Sequence, residues 1–368
     1  MLAPSGNKNI RNFVFFLEVL TAALLCGCSD MMGGFDRYIY CQVFDSTAQD
    51  MRQGWSIADT MAIQNNPTEL GWAYYNVLFA YFTPNRYIFI LIHTLIVYAI
   101  YAWHIKHLSS YPEASFFVLI CILYFFSWTY LRQTLACGIA WFSIPYAIKR
   151  KPLPFFAIVA LAATFHNSAL LFAIVYFIAE KDFSKGELFV IFIVCLSLGF
   201  TPIGTFLFDN IGGQINEDKT EQSLRGVGSA RIAYIIEGIV FLYLIFRAYN
   251  LISNDKKSIC LRNIAFCFIF ILAFFVRFPD GGRMGWYYMI GIACTIGQII
   301  AKLKSNKSLK VLTIAIFTFL FFRIVIQWDW TLIPYKSFFT NGVKENDIVW
   351  EAYEYDHNYD EDKFYNLK

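Results

Sequence analysis

Apolar runs of about 15 to 20 residues recur from one end of this chain to the other, and they constrain its fold more than any motif does. A bilayer core about 30 Å thick takes about 20 apolar residues of helix to cross. Inside it, backbone amides must be satisfied within their own segment. Of the 368 residues, 58% are hydrophobic and 15% charged, against ~45–50% and ~25% in soluble domains. No separate soluble domain has room among the runs. The sequence therefore predicts an all-α fold, a polytopic transmembrane helical bundle of about eleven spans.

The first span is expected at 13–28, with Glu18 inside it. Others follow at 87–105, 115–130, 132–148, 153–166, 168–180, 187–205, 231–249, 263–279, 284–301 and 311–327. The stretch 115–148 is too long for one helix, which puts Arg132 near a turn. Residues 153–166 are short, and their helix is expected to run past His166. Residues 70–82 end before Pro84 and are too short to cross, so they read as a re-entrant or interfacial helix. Residues 1–330 then form one transmembrane domain. Its outer loops are 29–85, with amphipathic helices at the membrane surface, and 206–230, glycine-bearing and suited to a mobile lid. The tail, 331–368, is acidic and tyrosine-rich, and is expected to be solvated and partly disordered from 341 onward. Leu25-Cys26-Gly27-Cys28 resembles a lipoprotein processing site, but a retained anchor helix suits a chain with so many other spans. The nine cysteines include no CxxC and no metal spacing, so no disulfide framework is expected.

Basic residues in short loops set orientation. Lys106, Lys149-Arg150-Lys151, Lys181 with Lys185, Arg247 with Lys256-Lys257 and Arg262, and Lys302-Lys304-Lys307-Lys310 fall on alternate loops. Placing these in the cytoplasm puts the N-terminus there and the C-terminal tail outside. Asp36, Arg132, His166, Arg231 and the Pro279–Arg283 turn then all fall at the outer face.

Arg132-Gln133 and His166-Asn167-Ser168 interrupt the longest apolar stretch. An arginine in hydrocarbon costs ~2.5–3.5 kcal/mol on insertion scales, so it needs water, a partner or an anion. Singly, each of Arg132, Arg231, Arg277 and Arg283 reads as a snorkelling side chain at a helix end. Four at outer ends, without matching acids nearby in sequence, read as a clamp for phosphate oxygens. His166 alone would be a core histidine; with Asn167 and Ser168 at a loop-like break it becomes a candidate base or hydrogen-bond donor. Asp36, after Gly33-Gly34-Phe35, is either a loop acid paired to Arg37 or a carboxylate placed to take a proton from a hydroxyl. Glu69, before Leu70-Gly71-Trp72, is a weaker candidate for that task. Arg231 and Tyr234 share a helical face at i, i+3. No Walker loop, GxGxxG, HExxH or DxD pair occurs, so ATP and a cytosolic sugar-nucleotide donor are both unsupported.

Together these residues resemble the EpsG family of Wzy-like oligosaccharide polymerases. The resemblance lies in Gly34-Phe35-Asp36-Arg37-Tyr38 with Tyr40, Glu69-Leu70-Gly71-Trp72, Leu131-Arg132-Gln133-Thr134-Leu135-Ala136 and Ala163-Thr164-Phe165-His166-Asn167-Ser168-Ala169-Leu170. Ser229-Ala230-Arg231 with Tyr234, and Gly282-Arg283 with Tyr287-Tyr288, match less distinctly. It covers residues 10 to 330 and implies an architecture similar to multispanning lipid-sugar glycosyltransferases. It implies glycosyl transfer outside the cytoplasm of a bacterium, from a polyprenyl-pyrophosphate-linked oligosaccharide to a hydroxyl of a lipid-linked repeat unit. Arg132, Arg231 and Arg283 would hold the pyrophosphate, and Asp36 or His166 would accept the hydroxyl proton. Gln133, Ser168, Tyr234, Arg277, Glu69 and Trp72 would bind substrate, with Trp55 and Trp72 exposed to stack on sugar rings. No metal, cofactor or nucleic acid is implied. Partners would be membrane lipid, a chain-length regulator and a flippase. Two other readings stay open at this point, a lipid-linked oligosaccharide transporter and a membrane-bound O-acyltransferase.

Overall fold

The computed structural model describes residues 8–203, 230–278, 281–304 and 306–368. The expected outer loop at 206–230, save Ala230, lies outside the described residues, as do Pro279 and Asp280. Among the described residues the fold is helical throughout, with one isolated bridge between Ser29 and Ser337.

Among the described residues five helices are each long and apolar enough to cross a membrane: Lys8–Gly27, Arg86–Leu108, Lys256–Phe274, Gly281–Lys302 and Lys307–Gln327. With the shorter apolar helices Pro112–Leu123, Pro152–Phe165 and Asn167–Ile178, they make this a multi-pass membrane protein. The other expected crossings fall on short or interrupted helices. The 115–148 stretch is broken at Tyr124, at Tyr130 and again near Phe142. The 263–279 span begins earlier, at Lys256, because Asp255 caps it by accepting the Ser258 amide at 3.0 Å. The helix of 153–166 stops at Phe165 instead of running past His166, whose backbone is extended (φ −157°, ψ 116°). Leu70–Phe82 is a single helix of 13 residues.

The hub is Met289–Lys302, wedged between Pro112–Leu123 and Lys256–Phe274. Small residues allow the approach, as in membrane helix packing. A Cβ on Gly291 would collide with the Ile264–Ala265 backbone, and one on Gly297 with Ser115.

Antiparallel helices give the bundle two chemically distinct ends. One holds Arg11–Glu113, Lys256–Glu180, Arg150–Glu180 and Arg262–Asp182 ion pairs. The other gathers Asp36, Glu69, Arg132, His166 and the C-terminal tail. That tail differs from the solvated, disordered end expected of its composition. Tyr359 is fully buried and Lys363 nearly so. The fully buried Arg86 donates to both Glu354 oxygens at 3.1 Å and lies 3.8 Å from the centre of the Tyr359 ring. Asn85 donates to the Lys363 carbonyl at 2.8 Å, and the Tyr355 hydroxyl donates to Asp45. Glu354 is thus paired with a buried cation, and that pair with the Asn85 and Asp45 contacts ties the tail down.

Candidate functional site

Glu69 is where three distant segments meet. Its Oε1 accepts from His166 Nδ1 at 2.8 Å and from the Asn167 amide at 3.1 Å. Its Oε2 accepts from Arg132 Nη1 at 2.5 Å. The same Nη1 donates to Asn66 Oδ1 at 3.0 Å, and Arg132 Nε donates to the Tyr40 hydroxyl at 3.4 Å.

Local sequence explains each placement. The Tyr130 backbone leaves helical values (φ −96°, ψ 64°), so Arg132 sits in the first turn of Leu131–Trp141. The extended His166 ends its helix, and the Ala169 amide bonds back to its carbonyl to start the following turn. Glu69 precedes the Leu70–Phe82 helix, which packs on Pro152–Phe165 through Gly71. A Cβ there would collide with Thr164 Oγ1 and meet the Phe165 ring at 3.0 Å.

Burial acts to raise the Glu69 pKa. The hydrogen bond and charge of His166, the charge of Arg132 and the Asn167 amide outweigh it and hold the carboxyl down at about 2. Glu69 is thus ionised at neutral pH and orients a histidine and an arginine. Because a carboxylate only accepts, His166 Nδ1 carries the proton in that contact, which leaves Nε2 as the ring's acceptor.

A second group lies alongside. Gln133 Nε2 donates to the Arg283 carbonyl at 2.8 Å, and Arg283 Nε donates back to Gln133 Oε1 at 3.4 Å. The Arg283 guanidinium lies 4.2 Å from the Tyr130 ring centre, and its charge, like that of Arg132, acts on His166. Ser168 Oγ and the Tyr287 hydroxyl are 2.9 Å apart, and Trp141 Nε1 fixes the Tyr287 carbonyl at 2.7 Å. The Tyr234 hydroxyl lies so close to Gly282 that a Cβ there would sit 2.8 Å from it. The Arg231 guanidinium is 5.9 Å from the Tyr234 ring, and the Arg231 amide donates to the Val276 carbonyl at 2.8 Å. Arg277 follows Val276 and is half-buried. Asp36 lies one turn before Tyr40 on the Phe35–Arg52 helix, and its charge acts on Arg132. Arg37 is fully buried and donates to Ser29 Oγ, the Met32 carbonyl and the Cys26 carbonyl, so it braces the first loop.

The structure corrects two expectations. Trp72 is 1% exposed, packed against Tyr40, Tyr75, Phe89 and His93, and cannot stack on a sugar from there. Its helix buries that face against Phe35–Arg52; Trp55, by contrast, is 53% exposed. Arg132 is also not short of an acid, since Glu69 reaches it across 63 positions of sequence. Sequence reasoning missed Asn66 and Tyr130. The only signals were an amide just before Pro67 and an aromatic two residues before Arg132. Among the described residues no cluster of three or more His, Cys, Asp or Glu is placed to hold a metal ion.

No curated protein and no solved structure matches the chain. One family does match, over residues 12–337: the EpsG family.

Proposed function

The chain belongs to the EpsG family, and on that premise we propose that it polymerises polysaccharide at a membrane. It transfers glycan from a polyprenyl-pyrophosphate-linked donor to a hydroxyl of a lipid-linked repeat unit. The observation that carries this reading is the Glu69 carboxylate joining His166 to Arg132. It sets a base beside cations, and inverting or retaining transfer from an activated pyrophosphate needs both.

His166 Nε2 takes the proton from the acceptor hydroxyl as its oxygen attacks the anomeric carbon. The bond from that carbon to the pyrophosphate oxygen breaks, and the electron pair leaves on the lipid phosphate. Arg132 has Nη2 uncommitted among the described residues and meets the developing charge, with Arg283 beside it and Arg231 nearby. Glu69 stabilises the imidazolium that forms. Asp36, on the rim, is the alternative proton acceptor; the carboxylate behind His166 favours the histidine. Gln133 and Ser168 hold Arg283 and Tyr287 in place.

The basic loops at the far end support a cytoplasmic N-terminus and an outer tail and site, in a bacterial inner membrane. A chain-length regulator and a flippase would then be its partners.

The test is purified protein in liposomes, given a polyprenyl-pyrophosphate-linked repeat unit, with products sized on a gel. Wild type should give a ladder, and Arg132→Ala and His166→Ala only single units. A normal ladder from either variant would sink the assignment.

A further inference from the structure

Where the C-terminal tail docks on the Phe35–Arg52 helix, acids outnumber the cation that serves them. Asp45, Glu354 and Asp356 gather about one fully buried guanidinium, Arg86. Glu354 takes it, since Arg86 Nη2 donates to both of its oxygens. Asp45 Oδ2 is left 3.8 Å from Arg86 Nε, too far for a hydrogen bond, and accepts from the Tyr355 hydroxyl instead. Asp356 accepts from the Tyr365 hydroxyl.

Asp45 Oδ1, Arg86 Nε and Arg86 Nη1 are buried here and hydrogen-bond to no described residue. An ionised carboxylate accepts at both oxygens, and burying it with one of them bare is costly. The Asp45 side chain is only 12% exposed, so water does little to offset that cost. A protonated Asp45 has no charge to desolvate and does not repel Glu354 or Asp356. Burial, joined by the charges of Asp356 and Glu354, outweighs Arg86 and the Tyr355 hydrogen bond and pushes the Asp45 carboxyl up to about 7 from an ordinary 3.8. The other titratable groups that its charge meets are Tyr355, Tyr359 and Tyr365 in the tail and Cys41 on its own helix. Desolvation lifts all four above their ordinary values, so they stay neutral. The charges that Asp45 answers to are those of Arg86, Glu354 and Asp356.

The same docking surface reaches toward the reaction centre. The Tyr353 ring stacks on Phe35 at 5.2 Å, immediately before Asp36 in the chain. Arg52 Nη2, at the far end of the helix, donates to the Asn366 carbonyl at 3.4 Å. Tyr40, which accepts from Arg132 Nε, lies between them. A tail that lets go therefore frees one side of the helix on which Arg132 leans.

We propose that the C-terminal tail is a proton-set strap: a proton held on Asp45 lets three carboxylates pack about one guanidinium, and its loss to solvent loosens the tail from the helix that carries Asp36 and Tyr40. The docked form holds the proton and the released form gives it up. Docking is therefore strongest below an ordinary 3.8, weakens as pH rises from there through about 7, and is level above that. Between about pH 5 and about pH 8 the released fraction should rise roughly ten- to a hundredfold.

The test uses the full-length protein in nanodiscs and limited proteolysis of the tail from about pH 5 to about pH 8. Asp45→Asn is near-isosteric and cannot ionise. Dividing the wild-type cleavage rate by that of Asp45→Asn at each pH cancels the protease's own pH dependence. The ratio should stand near one at the acid end and climb about tenfold or more by the alkaline end. A flat or falling ratio overturns the strap. If Asp45→Asn is cleaved rapidly at every pH, the substitution has cost packing, and wild type alone decides. Hydrogen exchange of the Ile348–Tyr353 amides, corrected for intrinsic rates, should then lose about tenfold or more of its protection over the same range. Protection that does not change with pH overturns the proposal. Both measurements are made without substrate, so neither depends on the polymerase reading, whose own failure would appear as a missing ladder in liposomes.

Discussion

Glu69 shows how one acid can decide the state of two other residues. Its side chain is 8% exposed and answers a histidine and an arginine that are 16–21% exposed. Removing one partner of a buried pair costs about 3–5 kcal/mol, because the other charge stays behind uncompensated. Glu69→Gln keeps the shape and removes the charge, so it should lower the thermal midpoint and cut polymerisation by about 10²- to 10⁴-fold. The pH dependence has a definite sign. The carboxyl titrates at about 2 when folded, against an ordinary 4.5. The stabilisation is therefore full above 4.5 and disappears as pH falls through about 2. The midpoint gap between wild type and Glu69→Gln, followed by thermal unfolding from about pH 7 to about pH 3, should narrow on the acid side and stay flat above about pH 5. A gap that widened with acid would show that Glu69 is protonated in the native state.

Between elements, close approach is what positions these residues. Gly71→Ala forces Leu70–Phe82 away from Pro152–Phe165, since its Cβ meets Thr164 and Phe165. Overpacking of this kind costs about 1–3 kcal/mol. Activity should fall with stability, and Thr164→Ala in the same chain should restore part of both; a double variant no better than the single would disprove the clash. The tail is the other case. Glu354→Gln leaves the buried Arg86 with less counter-charge, so limited proteolysis should release the tail faster than in wild type. Equal cleavage rates would mean that the Arg86 contact does not hold it. The helical membrane class and the break before Arg132 were readable in sequence, because apolar run length and its interruption are local properties; the stop at Phe165 was not, since the run of apolar residues reads as continuing past His166. The pairing of Glu69 with His166 was not, since 97 positions separate them and nothing local encodes which acid a buried cation will meet. The tail misled for a related reason. Its acids and tyrosines look like a solvated segment until Arg86 and Asn85 are known to lie beneath them. Trp72 looked exposed because a short helix after a polar loop does not show which of its faces is covered.

At the scale of the whole molecule, the two ends should meet different compartments. A cysteine placed at the exposed Asn358 should react with an impermeant maleimide on intact cells, and one at the exposed Lys149 only after permeabilisation, above the background of the native cysteines. The reverse pattern would invert the orientation, and with it the side on which glycan is made. The order of synthesis adds something further. Arg86 heads one of the early helices, yet its carboxylate partner Glu354 lies 268 positions later in the chain, and the stacking ring Tyr359 later still. Until Glu354 and Tyr359 have been made and docked, the guanidinium lacks its bidentate partner and the ring it stacks on. A nascent chain cut short therefore presents a fault that a quality-control protease can read, and in a pulse-chase it should decay faster when it stops before Glu354 than when it runs through Lys368.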